Sequence, residues 1–309
     1  MAGPLPLDLL PDTAEVGVDG GTSIGGCDLV DLADEFGTPL FVYDEAHLRA
    51  RCREAVAAFG EGVAYAGKAF LCGAMARLVV EEGMYLDVAT GGELYMARHA
   101  GVPADRLILH GNNKSELELE MAIEEGVGLI VVDSFDEFDR LDALNAAIGA
   151  VPRVLLRVTP GVEAHTHEYV ATGQDDSKFG FTVSTGLAAA AVERALTSGT
   201  VDLVGVHAHI GSQVFEVDSF GRALEVLAGF AAPYDLAELS VGGGLGVAYV
   251  EGESAPSITQ WGEVVRGACE VAGVTARVSA EPGRAIAALA AVTLYRVGTI
   301  KDLEGIRTY

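Results

Sequence analysis

Lys68 stands where an apolar run, Tyr65-Ala66-Gly67, gives way to a loop. A lysine that emerges from a strand end into a partly desolvated mouth loses its proton more readily and can attack a carbonyl carbon. On position alone it reads more simply as a surface lysine, so its partners must decide. Gly242-Gly243-Gly244-Leu245-Gly246 is one such partner. Without Cβ atoms, backbone amides approach a phosphate closely, although a lone glycine run serves equally as a tight turn. Gly283-Arg284 supplies a second glycine beside a permanent cation. Glu281 offers the carboxylate that a pyridine ring nitrogen needs to stay protonated, and His209 offers a flat ring to cover such a ring's face.

Histidine pairs suggest a rival chemistry. His207 and His209 are spaced to share a side, as are His165 and His167, and such pairs can hold a divalent ion for hydrolysis. A hydrolytic centre would also want a nearby carboxylate ligand, and Glu281 is the one well placed. The metal reading leaves Lys68 and the glycine loop unexplained. A strand-end lysine, a glycine phosphate loop and an acid across one mouth together describe a site for pyridoxal 5′-phosphate (PLP), with no metal.

That reading requires one mouth. From residue 63 onward, short apolar runs rich in β-formers alternate with longer stretches of Ala, Leu and Glu. The runs are Val63–Gly67, Met84–Val88, Arg106–His110, Gly128–Asp133, Arg153–Thr159, Val201–His207, Ala237–Val241 and Thr275–Ala280. Strand alternating with helix implies parallel strands joined by crossover helices. An open doubly wound sheet needs only five or six strands, whereas eight close a barrel. The spacing therefore predicts an α/β fold, a (β/α)8 TIM-type barrel over residues 37–291. Residues 40–43 and the helical Glu45–Phe59 lead into it. Lys68, Asp87, Arg157, His209, Ser212, Gly243, Gly244, Glu281, Gly283 and Arg284 would then face the mouth where such barrels carry chemistry. The longer insertions, Pro160–Ser184 and Gly242–Ser257, fall on the same face. Residues 1–36 stand outside the rhythm, and Val292–Lys301 reads as a further strand.

Composition excludes several alternatives. With 45 acidic against 20 basic residues the formal charge is −25, which repels nucleic acid and anionic membrane surfaces. Cys27, Cys52, Cys72 and Cys269 show no paired spacing and fit reduced thiols. The N-terminus lacks the features of a secretory signal, and no apolar run is long enough for a membrane span. A soluble, cytoplasmic protein is expected.

The motifs Ala64-Tyr65-Ala66-Gly67-Lys68-Ala69, His207-Ala208-His209-Ile210-Gly211-Ser212-Gln213, Gly242–Gly246 and Glu281-Pro282-Gly283-Arg284, taken in order, resemble diaminopimelate decarboxylase. Arg157-Val158-Thr159-Pro160-Gly161, His165–Tyr169 and Lys178-Phe179-Gly180-Phe181 favour that member over ornithine and arginine decarboxylases. The resemblance implies loss of CO2 from meso-2,6-diaminopimelate to give lysine. Lys68 would bind PLP covalently, with Asp87 beside the cofactor and His209 against the ring. Ser212, Gly243, Gly244 and the backbone near Gly283 would hold the phosphate. Glu281 would pair with the ring nitrogen, and Arg284 would reach the phosphate or a substrate carboxylate; Lys68, His209 and Glu281 form the catalytic set. The resemblance also implies a homodimer and a second, β-rich domain. Only the beginning of that domain is expected here, at 292–309, with residues 1–36 packing against it, so the chain alone is expected to show little activity. A non-catalytic PLP-binding or partner-regulating barrel, and another decarboxylase or racemase of the same fold, are the alternatives.

Overall fold

The computed structural model describes residues 6–162, 177–303, 307 and 308. Contacts divide the chain into two compact units. One comprises residues 49–248 and 252–288, the other residues 1–48, 249–251 and 289–309.

The larger unit is the barrel. Its strands are β1 (Ala64–Ala66), β2 (Tyr85–Val88), β3 (Leu107–Leu109), β4 (Leu129–Val132), β5 (Arg153–Thr159), β6 (Asp202–His207), β7 (Glu238–Ser240) and β8 (Arg277–Ser279). Each pairs in parallel with the next. The ring closes where Ala64 N–H donates to Ala280 O at 2.9 Å and Ala66 N–H donates to Pro282 O at 3.1 Å. Among the described residues, seven helices make the crossovers: α1 (Gly73–Glu81), α2 (Gly91–His99), α3 (Glu116–Glu125), α4 (Phe135–Ile148), α5 (Leu187–Ser198), α6 (Asp218–Ala231) and α7 (Ile258–Ala272). All eight strand runs read from the sequence are present. A short strand, Phe181–Thr182, pairs alongside β5.

Local chemistry explains why these segments stop and start where they do. Ser115 and Ser257 open α3 and α7 with reciprocal capping boxes to Glu118 and Gln260. Thr90 and Ser134 cap α2 and α4 through their hydroxyls. Gly126, Gly149 and Gly273 end α3, α4 and α7 in the left-handed conformation that only glycine adopts freely. Inside the ring, Ala64, Ile108, Leu129, Val131, Leu155 and Val204 form one buried cluster. The interior is thus packed, and chemistry is confined to the rim.

The smaller unit corrects one expectation. Leu40–Tyr43, read as leading into the barrel, pairs antiparallel with Ala291–Leu294. Its alternation suits a strand in either place, and only the partner distinguishes them. Three short antiparallel strands, Glu15–Val16, Thr22–Ile24 and Cys27–Asp28, precede a helix at Leu29–Phe36 capped by Asp28. The strand expected at Val292–Lys301 is regular only over Ala291–Leu294, and Tyr295, Val297 and Ile300 beyond it are exposed. No helix among the described residues is long and apolar enough to cross a membrane.

Candidate active site

The centre of the mouth is Glu281, buried just past β8. Ser240, ending β7, donates its hydroxyl to Oε1 at 2.9 Å. His207, ending β6, donates from Nε2 to Oε2, also at 2.9 Å. His110, just past β3, brings its Nε2 to 3.7 Å from Oε1. Burial opposes ionisation here, but His207, His110 and the two hydrogen bonds outweigh it and hold the carboxyl well below its usual range. Glu281 is therefore a carboxylate at neutral pH.

Asp87 in β2 is buried nearby and, among the described residues, has no hydrogen-bond partner for Oδ1, which lies 3.5 Å from His110 Nε2. Burial, and then the charge of Glu281, raise its pKa well above the usual carboxyl value. Burial also pushes His110 down to about 4. His209 is held well below its ordinary value by burial and then by Lys68 and Arg157, and its Nδ1 accepts the Gly243 N–H at 3.3 Å. Its neutral ring therefore carries hydrogen on Nε2.

Lys68 sits on a single 3-10 turn, Gly67–Ala69, directly after β1, and is exposed. Its charge bears on Asp87, His110 and His209. Arg157 in β5 stacks over the Phe179 ring at 4.2 Å and lies 3.7 Å from Asp133 Oδ2. Asp133 Oδ1 accepts the Gly180 N–H at 2.8 Å, so the Lys178-Phe179-Gly180 tract is pinned beside Arg157.

The glycine loop passes closer to its neighbours than any side chain permits. A Cβ on Gly243 would stand 2.1 Å from the Glu281 carbonyl, and one on Gly244, at φ +117°, 2.0 Å from the Gly211 carbonyl. Gln213 clamps the loop by donating to Val247 O at 2.8 Å and accepting from Val247 N–H at 3.1 Å. Arg284 donates to Ser212 Oγ at 3.3 Å, joining the segments after β6 and β8. Gly283 lies against β1, where a Cβ would meet that of Ala66 at 2.9 Å.

The sequence-predicted residues thus share one face. His165 and His167 lie outside the described residues. Sequence reasoning does not single out His110, Ser240 or Asp133, whereas Gln213 and His207 enter it through their strand-end motif, His207 also as a possible metal ligand. Strand-end position was the available signal, since His110 follows β3 and Asp133 follows β4 just as Lys68 follows β1. His110, His207 and Glu281 do place ligand atoms within 4.8 Å of one another. Of these atoms, His207 Nε2 is 2.9 Å from Glu281 Oε2, a hydrogen bond, whereas His110 Nε2 lies 3.7 Å from Glu281 Oε1.

PLP fits this donor set. A buried, ionised carboxylate suits a protonated ring nitrogen, a neutral imidazole can lie against a ring, and a strand-end amine can take an aldehyde. At Gly243 and Gly244 the backbone packs against the carbonyls of Glu281 and Gly211 too closely for any Cβ. A parallel barrel with such a mouth defines a pyridoxal-binding decarboxylase barrel. Residues 45–288 match the family model described as pyridoxal-dependent decarboxylase, pyridoxal binding domain.

Diaminopimelate decarboxylase from Mycobacterium bovis is 48% identical over 94% of this chain and 68% of its own length. The enzyme of that name from Halalkalibacterium halodurans is 44% identical over 96% of this chain and 71% of its own. Among solved structures, diaminopimelate decarboxylase from m. jannaschi superposes with a TM-score of 0.88 at 31% identity, over 95% of this chain and 71% of that one. The chain belongs to the diaminopimelate decarboxylase family.

Proposed function

We propose that this protein removes CO2 from meso-2,6-diaminopimelate to give L-lysine, using PLP held on Lys68. The observation that carries the reading is Glu281, a buried carboxylate kept ionised by His207 and Ser240 at the same mouth as the strand-end lysine. The relatives' name supplies the substrate, and a Helicobacter pylori diaminopimelate decarboxylase of the same fold is described in complex with L-lysine.

When bound, the cofactor supplies an electron sink for the pair left behind as CO2 departs. The chain's own residues prepare that chemistry. Lys68, at the end of β1, would be the amine that holds the cofactor. Glu281 keeps a proton on the ring nitrogen, because its negative charge is fixed by two donors and does not have to form during reaction. His209, neutral and held by Gly243 N–H, would offer a flat ring to the cofactor without adding charge. Ser212, Gly243, Gly244 and Gly283 hold the phosphate, Arg284 serves it or a substrate carboxylate, and Asp87 and Arg157 complete the cofactor's surroundings. A homodimer and a cytoplasmic location belong to this reading. Light scattering at about twice the 32.1 kDa chain mass would support the dimer.

The test is chemical. Protein incubated with PLP, reduced with borohydride and digested should carry a pyridoxyl group on Lys68 alone, and the Lys68→Ala variant should carry none there. Labelling spread over surface lysines would refute the site. Release of labelled CO2 from diaminopimelate but not from ornithine would support the substrate, and the reverse would transfer the chain to another decarboxylase of this fold.

A further inference from the structure

The mouth contains two buried carboxyl groups and a histidine that the reading above leaves without a task. Among the described residues, Asp87 Oδ1 and His110 Nε2 are buried without a hydrogen-bond partner. His110 Nε2 lies 3.5 Å from Asp87 Oδ1 and 3.7 Å from Glu281 Oε1, slightly too far to bond either. A small rotation of the ring or of either carboxyl group closes one contact. His110 also packs edge-on against His207, with centroids 5.2 Å apart.

We propose that His110 is a positioning residue that bridges Asp87 and Glu281, so that Asp87 keeps a proton while Glu281 remains the carboxylate serving the cofactor ring. The proposal rests on the site reading above. Two carboxylates so close in a desolvated mouth cannot both be charged without strong repulsion. Geometry breaks the tie. Among the described residues, Glu281 accepts from Ser240 and His207, whereas Asp87 Oδ1 accepts from nothing. The uncompensated group takes the proton. A neutral His110 can then accept from protonated Asp87 at Nε2 or, in its other tautomer, donate to Glu281. The charged and titratable groups bearing on His110 are Glu281 and Asp87, the cations Lys68, Arg157 and Lys114, and the neighbouring His207. The raised pKa of Asp87 and the lowered one of Glu281 agree with this division of the proton.

The decisive variants are His110→Phe, which removes both ring nitrogens, and His110→Gln, whose amide can still donate and accept. With cofactor bound, H110F should move the pH midpoint of the cofactor's visible absorbance and lower kcat about tenfold, with KM nearly unchanged. H110Q should restore most of both. In the cofactor-free protein, the 15N resonances of the His110 imidazole should shift on Asp87→Asn. If H110F folds, is labelled at Lys68 and keeps the wild-type absorbance profile and kcat, His110 is packing only and the proposal is wrong. If H110F does not fold, H110Q and the NMR measurement decide, and a His110 resonance indifferent to D87N overturns the bridge. Failure of Lys68 labelling in the wild type would instead sink the site reading, while the NMR result would still judge the bridge.

Discussion

Glu281, Asp87 and Gly244 show how little of a residue's behaviour lies in its own side chain. The two acids share one chemistry but are driven in opposite directions, because Glu281 has two donors and Asp87 Oδ1 has none. Replacing Glu281 by Gln keeps the shape and removes the charge. We expect kcat to fall on the order of a hundredfold or more while the Lys68 adduct still forms, as judged by steady-state kinetics beside borohydride labelling. Unchanged kcat would mean that the ring nitrogen is served elsewhere. Gly244→Ala places a Cβ 2.0 Å from the Gly211 carbonyl at a positive φ. Such strain costs about 1–3 kcal/mol, and cofactor affinity should fall with stability; equilibrium titration and urea unfolding would measure both. A pH dependence follows from His110. Burial lowers its folded-state pKa to about 4, below the usual unfolded value of about 6.5. Its contribution to stability is therefore complete above about 6.5 and is lost as pH falls towards 4, by at most ~1.4 kcal/mol per pH unit. Asp87, whose pKa is raised, acts in the opposite sense over the same range, so the wild-type curve mixes the two. The difference between wild type and H110Q in urea midpoint across pH 4–7 isolates the histidine, and parallel curves would refute its share.

Among the elements, the loops joining β3 to α3 and β4 to α4 are tied by a buried ion pair. Lys114 Nζ donates to Glu137 Oε1 at 2.7 Å and to the carbonyls of Gly111 at 2.8 Å and Val131 at 2.5 Å, while Glu137 accepts the Asp133 N–H at 3.1 Å. That arrangement holds the backbone of Asp133, whose carboxylate faces Arg157 and Gly180. Glu137→Leu leaves a buried lysine uncompensated and should cost about 3–5 kcal/mol, whereas the double variant Lys114→Met with Glu137→Leu should recover much of it. Thermal melts of the two variants would check this, and equal losses would mean that the pair is not coupled.

At the scale of the whole molecule the dominant feature is charge. A formal charge of −25 on 309 residues repels itself in the folded state. Raising sodium chloride from about 0.1 M to about 1 M shortens the screening length from ~10 Å to ~3 Å. The melting temperature should rise with salt, and a fall would show that favourable ion pairs outweigh the repulsion. The same field must be overcome locally for a phosphate to bind. Arg284, whose guanidinium donates to Ser212 Oγ, is a permanent cation on this face.

The sequence by itself determined the barrel and its mouth. Eight apolar runs at a parallel βα rhythm admit few other closures, and Lys68, Glu281 and the Gly242–Gly246 loop fall at strand ends whatever the details of packing. Helix ends are set just as locally, because Ser115, Ser257 and the C-terminal glycines act on their own few residues. Tertiary structure alone decided the rest. Leu40–Tyr43 is a strand in either location, and its pairing with Ala291–Leu294 is a contact between residues roughly 250 apart that no local pattern encodes. His110 became part of the site only when β2, β3 and β8 brought Asp87, His110 and Glu281 together. Protonation followed the same rule. Spacing names the acids and histidines, but which of them holds the proton depends on burial and on donors arriving from other strands.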